Sequence, residues 1–400
     1  SEFGFFCYSA RPDNTLAYID DMLRPIINLP TLPAPRQRAT LSGLDGTASL
    51  VAAAEAAAQH NGLTLFITPN NEAAEAAVEE LRFFASRHAL QILHFPDRET
   101  LPYDTFSPHQ DIISQRLKTL YQLDTLKKGV VVTTISTLMH RVPPPSYIHG
   151  NTLILSKGQT LDSLALANRL ASAGYHRVET VLEHGEFAVR GSLLDVYPMG
   201  SNDPLRIDWF DDEIDNIRYF NVEDQRSGDS LDDIEILPAG EVPVGDMAVS
   251  LFKENWHNEF DVDHRHCSVY QDVAAGTNPA GIEYFMPLFF KETATLMDYL
   301  PPNTLLMVAP DLAENAEQFA DYVRQRFEAR NIDARWPILK PHTVFSPAEE
   351  ILGLLRQQPR LVLGSRPGAE VKPLKGVRRL PDLTINAKLE NPYIALQSFL

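Results

Sequence analysis

The stretch Leu63-Thr64-Leu65-Phe66-Ile67-Thr68-Pro69-Asn70-Asn71 decides the fold class of this chain. Its first six residues are apolar or β-branched with no polar alternation, as in a strand covered on both faces. Pro69 ends the strand, and Asn70-Asn71 supplies a cap for a helix whose Leu81 and Phe84 fall on one side. Working outward, the same alternation recurs. An Ala-rich helix follows Thr47, the spacing predicts a strand over 90–95 and a helix over 111–123, and 130–135 reads as a second buried strand. Strands that alternate with helices imply a parallel sheet with helical crossovers.

The texture changes near Asn151. One Ala/Leu helix over 161–173 leads into short strands over 186–190, 193–197, 205–210 and 217–220, a small α+β unit expected to be antiparallel. After Pro238 the helical pattern returns over 247–260 and 296–300, then an apolar strand over 305–308 and an amphipathic helix over 312–330. The expected organisation is therefore an irregular, Pro-punctuated leader (1–37), one part of an α/β domain (38–150), a small inserted domain (151–238), and a second α/β part (239–340). The remainder (341–400) carries a helix over 348–357, a strand over 361–364 and a Pro-, Lys- and Arg-bearing linker. Whether the two α/β parts close one sheet or form separate domains stays open at this level.

The formal charge of −18, from 35 basic and 53 acidic residues, opposes unassisted binding to a phosphate backbone. It suits a protein whose partner is another protein, with weak local DNA contact through Lys372–Arg379 as the exception to be weighed. No apolar run is long enough to span a bilayer, and Ser1-Glu2-Phe3-Gly4-Phe5-Phe6-Cys7 lacks the order of a secretory signal. A cytoplasmic location without a membrane role is the expectation. Two cysteines, Cys7 and Cys267, cannot build a disulfide framework.

Gly43-Leu44-Asp45-Gly46-Thr47-Ala48-Ser49-Leu50 lies just before a helix, where a phosphate-binding loop would sit. Such a loop needs Gly where Ala48 stands, Lys where Ser49 stands to reach the β/γ-phosphates, and a hydroxyl where Leu50 stands to hold magnesium. The matching acidic pair would follow the strand over 305–308, where Ala309 and Pro310 stand instead, leaving no magnesium ligand and no base for an attacking water. Asp311 reads as the N-cap of the next helix. Two losses in one site predict a nucleotide pocket without chemistry, so no catalytic residue and no cofactor is expected here. Asp263-His264-Arg265-His266-Cys267 has zinc-ligand residue types but lacks a second cluster, and reads as a polar surface loop. Asp211-Asp212-Glu213 and Asp215 read as a solvated turn between strands.

In the strand over 205–210, alternation places Arg206, Asp208 and Phe210 on one side. With Arg190 on a nearby strand, an arginine and aromatic display of the kind protein interfaces favour becomes available. The residues alone also permit the opposite arrangement, with Phe210 in the core and both arginines paired to neighbouring carboxylates.

The run His184-Gly185-Glu186-Phe187-Ala188-Val189-Arg190-Gly191-Ser192-Leu193-Leu194-Asp195-Val196-Tyr197-Pro198, with Arg206-Ile207-Asp208-Trp209-Phe210-Asp211-Asp212-Glu213-Ile214-Asp215, resembles the UvrA-binding domain shared by UvrB and the transcription-repair coupling factor (Mfd) family. Glu99-Thr100-Leu101-Pro102-Tyr103-Asp104-Thr105-Phe106-Ser107-Pro108-His109-Gln110 and Gly281-Ile282-Glu283-Tyr284-Phe285-Met286-Pro287-Leu288-Phe289-Phe290 are similar to the coupling factors rather than to UvrB. The resemblance runs from about Arg38 onward. It implies a degenerate helicase-like (P-loop NTPase-like) domain built from two chain segments and interrupted by a UvrA-binding domain. It also implies UvrA as partner, through Arg190, Arg206 and Phe210. The stretch between Tyr103 and Asp111 is too short for UvrB's DNA-gripping hairpin. A whole coupling factor would add an ATP- and magnesium-dependent DNA translocase, an RNA-polymerase-binding domain and a C-terminal regulatory domain that masks the UvrA face. The alternative in another class is a UvrB-like, ATP-dependent damage-binding protein or helicase.

Overall fold

The computed structural model describes residues 25–44 and 46–364, together with Asn391, Tyr393 and Gln397. The expected linker, Lys372–Arg379, Cys7 and Asp45 lie outside these residues, as does the leader up to residue 24. In chain order the strands are β1 (Arg38–Ser42), β2 (Leu63–Thr68), β3 (Gln91–His94), β4 (Gly129–Thr134), β5 (Leu153–Ser156), β6 (His176–Arg177) and β7 (Glu186–Arg190). There follow β8 (Leu193–Val196), β9 (Leu205–Phe210), β10 (Glu213–Phe220), β11 (Ser227–Leu231), β12 (Asp233–Ile236), β13 (Leu305–Val308) and β14 (Arg360–Gly364).

Six strands form one parallel sheet in the order β1-β14-β13-β2-β4-β3. The two α/β parts thus share one sheet. The strand expected over 361–364 is β14, and it sits inside that sheet between β1 and β13, so the expected helix and strand of the last segment belong to the α/β fold. Its Leu-Val-Leu run, buried throughout, has the two-sided burial that a central parallel strand requires. The leader also contributes: Ile27 is buried, and the Ile26 backbone N–H donates to Glu55 Oε1 at 2.8 Å.

One face of the sheet is covered by the helices Ala48–Gln59 and Asn71–Ala85. Their alanines (Ala52, Ala53, Ala56, Ala57, Ala74, Ala77) let the helices approach closely. Asn70 caps the second helix as expected, accepting from Ala73 N at 2.9 Å. The other face packs against the helices Gln110–Leu123 and Leu312–Arg330, and its apolar cluster runs without a break into the small domain. Asp311 stands at the start of the latter helix, but its side chain makes no capping bond.

The small domain is a sheet in the order β11-β10-β9-β8-β7-β6, antiparallel except that β6 runs parallel to β7, which corrects the all-antiparallel expectation. Leu194, Val196, Ile207, Trp209, Ile214 and Ile217 point inward to the helix Ser163–Ser172 and the larger core. The chain enters and leaves along a two-stranded ribbon of β5 and β12.

Just past that exit, Glu241 is wholly enclosed between two arginines. Arg98 donates to its Oε2 from Nε (3.1 Å) and Nη2 (2.6 Å), and Arg116 Nε donates to Oε1 at 2.8 Å. All three side chains are about 1% exposed or less. Nearby, the segments 99–110 and 281–290 meet. Tyr284 Oη donates to Leu101 O at 2.7 Å, Ser107 Oγ donates to Glu283 Oε2 at 3.0 Å, and the Gly281 N–H donates to Ser107 Oγ at 3.0 Å. Gly281 has φ 79°, and a Cβ there would lie 2.8 Å from Asp104 O and 3.1 Å from Thr105 Cα.

Two outcomes are expected. Burial raises the Glu241 pKa, but Arg116 and Arg98 outweigh it and hold the carboxyl down from its ordinary 4.5 to about 2. Its contribution to stability is then full above about pH 4.5 and is lost as pH falls through about 2. Glu241→Gln, which leaves two buried cations under-compensated, should cost about 3–5 kcal/mol in denaturant melts at neutral pH and flatten the acid limb of a stability–pH profile. Gly281→Ala should cost roughly 2 kcal/mol or more, because it combines a left-handed backbone with a backbone clash, and a melt within error of the parent would refute that packing.

Candidate partner-binding site

Two regions hold the residues singled out from the sequence. At the carboxyl edge of the parallel sheet, Gly43 (φ 76°) and Gly46 (φ 56°) turn the chain from β1 into the helix Ala48–Gln59. Ser49 Oγ donates to Gly46 O at 2.9 Å, so the hydroxyl folds back on its own loop. Leu50 is buried in the core beneath, and Ala48 is packed against it. Across β14, Ala309 and Pro310 leave β13, and Pro310 Cγ lies 3.4 Å from where a Cβ on Gly364 would be. The Leu44 N–H donates to Gly364 O at 3.3 Å, which ties the loop after β1 to the end of β14. The two degenerate motifs therefore lie on either side of β14, at one edge of one sheet.

The second region is the outward face of the small sheet. Along β9, Leu205, Ile207 and Trp209 are buried, whereas Arg206 and Asp208 are half-buried and Phe210 is 73% exposed. The expected alternation is what the strand does, and the reading that placed Phe210 in the core is excluded. Arg190, at the end of β7, lies on the same face by register, since it and Ala188 sit two apart and Ala188 pairs with Asp195, which pairs with Arg206.

The three residues differ in how they are held. Arg206 is gripped by Asp195, with Nε to Oδ1 at 2.7 Å and Nη2 to Oδ2 at 2.9 Å. Its Nη1 donates to Gln225 O at 3.1 Å, and its guanidinium lies 4.8 Å from the Phe220 ring centroid. Asp195 is 2% exposed, and its hydrogen bonds raise the Arg206 pKa above the ordinary value. Arg206 is thus a fixed plane and not a free cation. Arg190 Nη2 donates to Glu179 O at 2.7 Å and Thr180 Oγ1 at 3.1 Å, both neutral. Phe210 stands at a tight turn, where Asp211 adopts φ 52° and Asp211, Asp212 and Glu213 are exposed, in keeping with a solvated hairpin.

Asp195 and Phe220 were missed from the sequence, although an aspartate inside the apolar run Leu193-Leu194-Asp195-Val196 is a signal that something binds it. The segment 263–267 forms a short turn in which Asp263 pairs with Arg265. Cys267 is buried, so only the first part is the surface loop expected. Among the described residues no group of three or more His, Cys, Asp or Glu side chains is placed to hold a metal ion, and no helix is long and apolar enough to cross a membrane.

A helicase-like parallel sheet carrying an inserted small sheet with an outward Arg/Phe face defines a UvrB-type interaction module, and residues 153–241 match the UvrB interaction domain. The chain is 43% identical over 374 residues to the transcription-repair-coupling factor of Escherichia coli (strain K12), covering 92% of this chain and 32% of that protein. It is 40% identical over 380 residues to that of Haemophilus influenzae, covering 93% and 32%, and 28% identical over 312 residues to that of Bacillus subtilis, covering 74% and 26%. Over most of its length the chain is similar to the transcription-repair-coupling factors. It spans about a third of the length of the first two of these relatives.

Removing the grip on Arg206 gives a local test. Asp195→Ala should cost about 2 kcal/mol in a denaturant melt, because a half-buried guanidinium loses two charge-assisted hydrogen bonds, whereas Arg190→Ala, at an exposed site, should stay within about 0.5 kcal/mol.

Proposed function

We propose that the small domain recruits UvrA for transcription-coupled nucleotide excision repair, docking through Arg190, Arg206 and Phe210. The observation that carries the reading is Phe210, 73% exposed at the end of β9 on the face that also bears the immobilised Arg206. A large aromatic ring held in water on a rigid sheet costs the isolated chain apolar burial, and rigid aromatic and arginine side chains are what dominate binding energy at protein interfaces.

The larger sheet is proposed to be a scaffold that turns over no ATP. A magnesium nucleotide does not fit the residues at its edge. No lysine is offered at Ser49, the Ser49 hydroxyl is engaged by Gly46 O, Leu50 is buried, and Ala309-Pro310 has no carboxylate. On this reading the chain needs no cofactor. ATP, magnesium, DNA and RNA polymerase would be handled by the rest of a coupling factor, an ATP-dependent translocase that displaces stalled polymerase in the cytoplasm. Its C-terminal regulatory domain would cover the same face until the motor engages.

The test is equilibrium binding of the chain to purified UvrA. Arg206→Ala and Phe210→Ala should each weaken binding by roughly 2 kcal/mol or more while the variants stay folded. Absent binding, or binding indifferent to both substitutions, would overturn the recruitment reading. Phosphate release from ATP should stay at background with or without UvrB-type DNA substrates, and turnover that purifies with the chain would overturn the scaffold reading.

A further inference from the structure

The connection between β6 and β7, residues 178–185, folds back over the outward face of the small sheet. It starts alongside β7, where the Val178 N–H donates to Phe187 O at 2.9 Å. Arg190 Nη2 then donates to Glu179 O at 2.7 Å and to Thr180 Oγ1 at 3.1 Å. Val181 follows and is wholly buried, in one apolar cluster with Ala188 and Phe220. Ala188 lies on β7 and Phe220 on β10, with β8 and β9 between them, and three strand spacings put them about 14 Å apart. Val181 is the side chain that joins the two. It therefore lies across β8 and β9, beside the Asp195–Arg206 pair.

Leu182, the next residue, is 56% exposed. Its N–H and that of Glu183 both donate to Glu186 Oε2, at 2.8 and 3.0 Å, and His184 is tied to Asp111 Oδ1 at 2.8 Å and to Ser201 O at 2.9 Å. A single exposed leucine is commonplace. This one differs in that the backbone is fixed on both sides of it, so little freedom is lost when it is covered. Its place on the face follows from the register. β7 and β9 run the same way, since each is antiparallel to β8, and Ala188 lies in line with Arg206 through Asp195. Glu186 precedes Ala188 along that direction and Phe210 follows Arg206, so Leu182 and Phe210 stand on opposite sides of Arg206. The Arg206 side chain itself is only 14% exposed and meets a partner at one edge.

We propose that Leu182 is a second apolar anchor of the docking face, and that Arg190 is a positioning residue that serves recruitment by holding the loop on which Leu182 is presented. The inference rests on the recruitment reading above and extends it to a new element. The occupant is UvrA, because the loop lies within the stretch that matches the UvrB interaction domain and continues the surface that carries Arg206 and Phe210. That partner must offer two apolar recesses, one for each side of the Arg206 edge. Rigid apolar anchors seated in recesses are what hold an interface together once formed.

The experiment measures association and dissociation of UvrA with the full 400-residue chain at low and high salt. The parent is compared with Leu182→Met, Leu182→Ser, Arg190→Ala, Phe210→Ala and the double variant Leu182→Ser/Arg190→Ala. Leu182→Ser is expected to lower affinity about tenfold through faster dissociation, and Leu182→Met, which keeps the apolar contact, to stay within about twofold. Arg190→Ala should lower affinity about fivefold, equally at both salts. In the Leu182→Ser background the same change should lower it by less than about twofold more, because the loop then presents no anchor. Both positions are exposed, so the variants stay folded. An Arg190→Ala loss that shrinks as salt rises and adds in full to that of Leu182→Ser overturns the positioning role. Leu182→Ser binding within about twofold of the parent, while Phe210→Ala loses binding, overturns this inference alone. If Phe210→Ala also binds normally, the recruitment reading falls and this inference falls with it.

Discussion

The end of the small domain and the β3 side of the parallel sheet meet at the Glu241 carboxylate. It follows the strand that ends the small domain, and it is held by Arg98 and Arg116, which belong to the loop after β3 and the helix beside it. Two cations and one anion taken fully out of water are costly unless each hydrogen bond is made, so the arrangement tolerates one geometry and resists neighbouring ones. The Arg116 guanidinium also lies 4.2 Å from the Phe95 ring centroid and donates to Pro96 O at 2.6 Å, so the grip reaches the parallel sheet itself. Tyr147 Oη adds a bond to Gly240 O at 3.0 Å. The position of the small domain on the larger one follows from this point, together with the unbroken apolar cluster behind it.

Rigidity there matters for the face on the far side of the small sheet. Its inner residues belong to the same core as β2 and β13, so the strand that carries Arg206 and Phe210 is fixed from behind by the domain it is inserted into. From the side it is fixed by Asp195 and Phe220. On the proposed recruitment reading, such a face loses little conformational entropy on docking, because its arginine is already held and its aromatic ring has few torsions to freeze. The edge of the parallel sheet presents the contrary case. Ala48, Leu50 and Pro310 are used there for packing, and Gly43 and Gly46 for turning the chain.

Much of the fold was legible because period and composition speak for local structure. The alternation along β9 placed Arg206 and Phe210 correctly, and the continuous apolar runs of β2 and β4 announced a parallel sheet. What was not legible depends on distance along the chain. Asp195 meets Arg206 only through the β8–β9 register, and Glu241 meets Arg98 and Arg116 across more than a hundred residues, with no local pattern to mark either. β11, Ser-Gly-Asp-Ser-Leu, is almost wholly exposed and has no apolar period to read. The bulge at Asp215–Asn216, where the register of β10 against β9 slips, is invisible in a one-dimensional pattern because it changes a pairing and not a residue type. The helix and strand over 348–364 were legible from their apolar pattern, but the interior place of β14 was not, because only its neighbours in the sheet reveal it.

That interior place of β14 bears on how the chain acquires its structure. Arg38 pairs with Arg360, so β1 waits for a partner roughly 320 residues further along, and β2 waits about 240 for β13. On a ribosome adding ~5–20 residues per second, the larger sheet stays incomplete for on the order of tens of seconds. The small domain closes on strands that are near neighbours in sequence and is ready well before. The insert is therefore made first and the body that holds it last, which leaves β1 and one side of β2 as bare ladder edges during synthesis and makes that interval the time of greatest exposure to aggregation.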